Sequence, residues 1–145
     1  MREIKQDEVY KLDECLKALA KHHNSVSQNF KGHYPKTPIE QTIARFADEV
    51  KEQKAYIAVT ENDGKVTGFC KVNAENTLGV IEYLIVLESQ RGQGLGAQLM
   101  DWALDKLDSL GVEDIDVKVA DGNNAVSLYE RYGFKMNAHI LRLCR

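Results

Sequence analysis

The stretch "SQRGQGLGAQLM", Ser89 to Met100, holds three of the chain's ten glycines within the five residues Gly92 to Gly96. It follows an apolar run, "LGVIEYLIV" (Leu78 to Val86), and leads into a helix-periodic one. Glycine weakens a helix start unless the backbone must do something that a Cβ would block. Strand, glycine-rich turn and helix start together make an anion site. The N–H groups of a first helical turn have no partner in the helix, and the aligned peptide dipoles put partial positive charge there. Gly92, Gly94 and Gly96 remove the side chains that would hold a phosphate off those groups, and Arg91 adds a fixed cation. The loop therefore suits a pyrophosphate. The alternative is that the glycines serve only a tight turn and close helix packing.

Two common phosphate motifs fail on context. "GQGLGA" matches G-x-G-x-x-A letter for letter. That fingerprint belongs directly after the first strand of a βαβ unit, whereas here five residues separate Val86 from Gly92 and about 80 residues precede the strand. Only about 50 residues follow the loop, too few for the rest of a dinucleotide fold. A P-loop needs Gly-Lys-Ser/Thr at its end, which this loop lacks.

Working outward from the loop, the remaining elements come from periodicity and turn residues. Arg2 to Lys5 reads as a short strand. Val9, Leu12, Leu16, Leu19 and Ala20 recur at helical spacing and predict an amphipathic helix over Asp7 to His23. A second helix starts with Thr37 as N-cap, Pro38 in its first position and Glu40 completing a capping box. "AYIAVT" and "KVTGFCKV" flank an Asp63-Gly64 pair, a hairpin signal, and a further turn at Asn73 to Asn76 leads into the third strand. Gly94 to Leu110 is the long helix, with Gly111 at its C-terminal end. "DIDVKV" is a strand, "NAVSLYERY" a short helix, and a last strand pair is expected over Phe134 to Leu143. The order predicts one α/β (α+β layered) domain over residues 1–145, its sheet mixed but mostly antiparallel, with helices on both faces.

Composition narrows the function classes. A net charge of -3 without a basic block argues against nucleic acid and against anionic membranes. No apolar run approaches the roughly 20 residues of a membrane span. The charged N-terminus has no apolar stretch typical of a signal peptide. Cys15, Cys70 and Cys144 are odd in number and share no C-x-x-C spacing, so neither a disulfide framework nor a metal site is expected. Free, buried thiols in a reducing cytoplasm are expected instead. A homodimer is compatible with all of this.

With these elements in place, "RGQGLGA" after "YLIVLESQ" resembles the coenzyme A loop of the GNAT superfamily of N-acetyltransferases. That loop reads Gln/Arg-x-x-Gly-x-Gly/Ala, and Arg91, Gly94 and Gly96 meet it. "SLYERYGF", Ser127 to Phe134, is similar to a second signature common in the family, and the element order matches the family fold almost end to end. The resemblance implies acetyl-CoA as co-substrate, no metal, and a primary amine on a small molecule or peptide as acceptor. It implies that the amides of Gly92, Gln93, Gly94, Leu95, Gly96 and Ala97 bind the pyrophosphate, with Arg91 beside them. The backbone of Leu84, Ile85 and Val86 would pair with the pantetheine arm, while their side chains read equally well as core. A non-catalytic acetyl-CoA-binding or sensing module of the same fold is the alternative function.

The resemblance also assigns chemistry. Tyr129 matches a tyrosine that protonates the departing thiolate, although Ala125, Leu128, Tyr129 and Tyr132 share a helical face and Tyr129 could serve packing alone. The family often places an Asn seven residues earlier; here that position is Gly122, and Asn123 or Asn124 is left to serve the coenzyme arm. Direct attack by the amine needs a proton acceptor. Glu82 on the strand beside the acetyl site is the candidate, against an ion-paired structural role. Strand alternation is expected to put Glu82 and Tyr83 on opposite faces. The acceptor in such proteins is met by the segment between the first two helices. Here it offers His22, His33 and Tyr34 as pocket residues, with His23 divided between a core or helix-end role and the cleft.

Overall fold

The computed structural model describes residues 1–145. Five strands form one sheet in sequence order: β1 (Arg2–Glu3), β2 (Ala55–Asn62), β3 (Lys65–Glu75), β4 (Leu78–Val86) and β5 (Asp114–Val117). β1 to β4 pair antiparallel, and β5 joins β4 in parallel. The β2–β3 hairpin turns at Asp63 and Gly64, both with positive φ (53° and 77°), which is the geometry that follows the right-handed twist of the strands. The next turn is as tight: Glu75 faces Leu78, so β3 runs through Asn73 and the turn sits at Asn76 and Thr77 rather than over Asn73 to Asn76.

Period-2 alternation sends the strand side chains into two cores. Ile57, Val59 and Phe69 face α1 (Asp13–Val26) and α2 (Ile39–Lys51), packing on Leu12, Leu16 and Phe46. Ala58, Cys70 and Val72 face α3 (Leu95–Ser109) and α4 (Val126–Arg131), packing on Leu99, Met100, Ala103, Leu107 and Tyr129. The chain is thus an α/β domain with a mixed, mostly antiparallel sheet and helices on both faces. No helix is long and apolar enough to cross a membrane.

Four expectations are corrected. The first helical stretch divides: Gln6–Leu12 winds as a tighter 3-10 turn that buries Val9 and Leu12, and the α-helix begins at Asp13. Thr37 does not cap α2. Pro38 is extended (ψ 139°), its carbonyl takes the first helical hydrogen bonds, and the helix starts at Ile39. The last strand pair does not form. Residues 134–145 pair with no strand, and Leu141 and Leu143 are 94% and 79% exposed. Alternating apolar residues suggested strands there, but Asn137-Ala138-His139 supplies no glycine or proline for a tight return. Cys15 and Cys70 are buried free thiols, as expected, while Cys144 lies exposed in this tail.

Candidate active site

The site is built where β4 leaves its neighbours. On the β3 side, Lys71 faces Tyr83 and Val72 faces Ile81, so Glu82 is an extra residue, a bulge with no partner across the ladder. On the β5 side, pairing stops at the same place, with Ile81 opposite Val117. β4 then continues to Val86 without a parallel neighbour, so its backbone on that side has no strand partner from Glu82 onward. The bulge also breaks the simple alternation. Glu82 and Tyr83 both reach the α2 side, Glu82 to Arg45 and Tyr83 to the Phe46 ring at 5.2 Å. The expectation of opposite faces fails because the extra residue resets the period. Beyond it, Leu84 and Val86 pack toward α3 and α4, and Ile85 toward α1 and α2.

The glycine loop begins just past that stretch. Gly92 and Gly94 have φ of +83° and +79°, a region in which a Cβ costs about 1–2 kcal/mol. Gly94 in this conformation is the N-cap residue of α3. None of the backbone N–H groups from Gly92 to Ala97 has an acceptor within the protein; the first α3 turn closes only with Gln98 N–H to the Gly94 carbonyl, 3.1 Å. A Cβ built on Gly96 meets no atom within 4 Å, so no other part of the protein crowds that position of the helix start. Arg91 reaches back instead of outward: its Nε donates to the Val86 carbonyl at 3.0 Å, tying the loop to the end of β4 and leaving the rest of its fork free. The residues fit a pyrophosphate on shape and on donor count.

Tyr129 lies in the same layer. It is 8% exposed, packed edge-on against Phe134 at 5.8 Å and clustered with Cys70, Leu99 and Met100. Its hydroxyl has no hydrogen-bond partner. Burial, aided by Cys70, pushes its phenol up to about 12. It is therefore a donor at any ordinary pH. Complete transfer from such a phenol to a thiolate of ordinary basicity is uphill by about 5 kcal/mol, so a thiolate brought to it would meet a hydrogen-bond donor more readily than a full proton donor.

The segment before α4 explains the departure at Gly122. Its φ is +75°, and a Cβ there would overlap the Val26 carbonyl. An Asn cannot stand at this position because the β5–α4 segment presses on the end of α1. Asp121 fastens the same contact by accepting from Ser27 Oγ (3.0 Å), Gln28 N–H (2.7 Å) and Asn29 N–H (3.3 Å). Those donors, Gln28 first, hold its carboxyl below the ordinary value. Asn123 Oδ1 accepts from the Ala125 N–H at 3.0 Å, so it serves the turn into α4. Asn124 is exposed and its side chain is free.

The α1–α2 segment folds around Asn24. The Asn24 amide donates to the Tyr34 carbonyl and accepts from the Gly32 and Tyr34 N–H groups, all within 3.0 Å. This presses Tyr34 onto His23, centroids 4.9 Å apart, over a cavity of about 240 Å³. Tyr34, His23 and Tyr83 line it. His22 and His33 do not; His33 is exposed and sits edge-on to Phe30. Helix geometry explains the exchange: His22 and His23 are about 100° apart around α1, so one of the two faces the cavity.

One group was missed by sequence reasoning. Lys71 is fully buried, with Nζ 3.0 Å from Glu49 Oε1, 3.0 Å from Glu82 Oε2 and 2.8 Å from Asn73 Oδ1, over the Phe46 ring. Arg45 Nη1 adds contacts to Glu49 at 3.1 Å and to Glu82 at 2.9 Å. The network ties α2 to the bulge. Glu82 is thus ion-paired, yet its Oε1 has no aligned donor because the Arg45 contact meets it off-axis.

The acetyltransferase (GNAT) family pattern matches residues 17–134. The chain belongs to that family. A mycothiol acetyltransferase from Streptomyces coelicolor is 38% identical over 79 residues, 52% of this chain and 26% of the relative; the chain spans about a quarter of that protein's length. An L-methionine sulfoximine/L-methionine sulfone acetyltransferase from Pseudomonas aeruginosa is 23% identical over 126 residues, covering 81% of this chain and 73% of that one. Among solved structures, a protein described as a predicted acetyltransferase from Clostridium acetobutylicum, solved with acetyl-CoA, aligns with a TM-score of 0.75 at 15% identity, over 99% of this chain and 94% of that chain. This GNAT chain therefore shares the fold end to end with proteins whose sequences have diverged widely.

Proposed function

We propose that the chain is an N-acetyltransferase that moves the acetyl group of acetyl-CoA to a primary amine. The observation that carries this is the run of unpartnered amides from Gly92 to Ala97, set directly beyond the stretch of β4 that has no strand partner on its β5 side. The amides hold the pyrophosphate, Arg91 adds charge, and the freed backbone of Leu84, Ile85 and Val86 runs beside the pantetheine arm. Asn124, with its free amide, is the better placed of the two asparagines to reach that arm.

The amine nitrogen attacks the thioester carbonyl; the C–N bond forms and the C–S bond breaks. The amine gives up one proton, and the thiolate takes one from water after it has left. Tyr129 supplies the hydrogen bond to sulfur. Glu82 Oε1, the acceptor without an aligned donor, receives the amine proton. The names of the relatives cover unlike acceptors, so family membership leaves the acceptor open. Two buried thiols and one exposed free thiol suit a reducing cytoplasm.

The test is thiol release from acetyl-CoA across a panel of amines, corrected for hydrolysis. Amine-dependent release with an equal amount of N-acetyl product is expected. Tight acetyl-CoA binding with no turnover on any amine would favour a sensing module and contradict the enzyme.

A further inference from the structure

The cavity under the α1–α2 segment has a distinctive charge. No acidic side chain lines it, whereas Lys36, Arg45 and His23 do. Lys36 pairs with no carboxylate. Its Nζ rests over the Tyr34 ring at 5.2 Å and the Phe30 ring at 5.7 Å, which holds an exposed cation at the rim of the cavity without neutralising it. Arg45 Nη1 donates to Glu49 and contacts Glu82, the guanidinium also meets the Tyr83 phenol that lines the cavity, and neither Nη2 nor Nε donates to a carboxylate. Within that network Lys71 and Arg45 balance Glu49 and Glu82 one for one, so the charge of Lys36 is uncompensated. Burial, then His22 and Lys36, holds the His23 imidazole below its ordinary value, which keeps it neutral near pH 7. The floor is apolar: Leu16, Leu19, Ala20 and Ile39. A volume of about 240 Å³ lies below the range of drug-sized sites.

We infer that the acceptor is a small amino acid with an apolar side chain, its carboxylate held by Lys36 at the rim and the Arg45 guanidinium, and its side chain set on the Leu16–Leu19–Ile39 floor. This rests on the acetyltransferase reading and deepens it. The geometry is self-consistent. Arg45 touches Glu82, so a carboxylate on Arg45 brings the adjacent amine beside the bulge and the Glu82 carboxylate, whose Oε1 is buried without a hydrogen-bond partner. The neighbouring cations also disfavour the ammonium form of that amine, which must lose its proton before it attacks. An acceptor with several amines meets the opposite field and is disfavoured.

The reaction's product is a clean probe, because acetylation removes the amine charge and leaves the carboxylate. N-acetyl-L-leucine and N-acetyl-L-leucinamide are titrated calorimetrically into the full chain, with CoA present and without it. The acid is expected to bind about tenfold tighter than the amide, the worth of a charge-assisted contact. Lys36→Gln should reduce that preference to about twofold, and Lys36→Glu should reverse it. Lys36 is exposed and touches only two rings, so both variants should fold. Equal binding of acid and amide, tighter binding of the amide, or no binding of either at millimolar concentration would overturn the inference. Failure of CoA itself to bind would instead condemn the donor assignment, and the titration without CoA still decides the carboxylate preference. Turnover of polyamines in preference to leucine would leave the enzyme standing and remove this acceptor.

Discussion

The role proposed for Tyr129 rests on a single atom, its hydroxyl oxygen. Tyr129→Phe keeps the packing against Phe134 and Leu99 and removes only the hydroxyl. Its kcat should fall on the order of 100-fold with the KM for acetyl-CoA little changed, since the lost hydrogen bond forms only as sulfur departs. The phenol's value of about 12 means that Tyr129 stays protonated through pH 6 to 9, so no alkaline limb of kcat in that range belongs to it. Glu82→Gln has a different signature. Its loss, also on the order of 100-fold near pH 7, should shrink as pH approaches the acceptor amine's own value, because a free amine needs no base. A loss that is the same at pH 7 and pH 9.5 would return Glu82 to a purely structural role. Gly122→Ala should cost about 2 kcal/mol in denaturant unfolding, through strain at positive φ and overlap with Val26.

At the scale of elements, β4 and α2 are locked by Lys71. Lys71→Met leaves Glu49 and Glu82 facing each other without their shared cation. Equilibrium unfolding should register a loss of about 3 kcal/mol, the lower end for a broken buried pair, because both carboxylates retain some solvent. Sequence reasoning could see most elements here and not this tie. The Asp63-Gly64 hairpin, the alternation of β2 and β3 and the glycine-started α3 are local signals, legible in a window of a few residues. The bulge at Glu82 is a property of the register between two strands, so no single strand reveals it. Lys71 shares a face with Phe69 and so sits at an inward position, but a lysine there reads as a surface residue until its partners on α2 are known. The opposite error occurs at residues 134–143, where local alternation promised strands that find no partner.

The same divide runs through the whole molecule. The glycine loop was legible because a run of unpartnered backbone amides is a local feature. The cavity under the α1–α2 segment was less so, because it is closed by long-range contacts: Asn24 folding that segment, and Asp121 and Gly122 pressing on the end of α1. Of the residues expected to meet the acceptor, Tyr34 lines this cavity and His22 and His33 do not, while His23 does. Global stability also carries the signature of two buried thiols. Burial pushes Cys15 and Cys70 from an ordinary value of 9.0 up to about 12. Groups raised on folding contribute fully below their unfolded values and lose that contribution as pH climbs to the folded ones. The thermal midpoint should therefore fall steeply between pH 9 and 12, with Tyr129 adding to the fall above pH 10, where its ordinary value lies. The most direct test of the central claim, that the amides after β4 bind the coenzyme pyrophosphate, is the acetyl-CoA affinity of Gly96→Glu. Gly96 has ordinary φ and open space around its Cβ position, and a carboxylate suits a first helical turn, so the variant should hold or raise the thermal midpoint. The account predicts that a protein at least as stable binds acetyl-CoA at least tenfold more weakly, because a carboxylate beside those amides repels the pyrophosphate; unchanged affinity would contradict it.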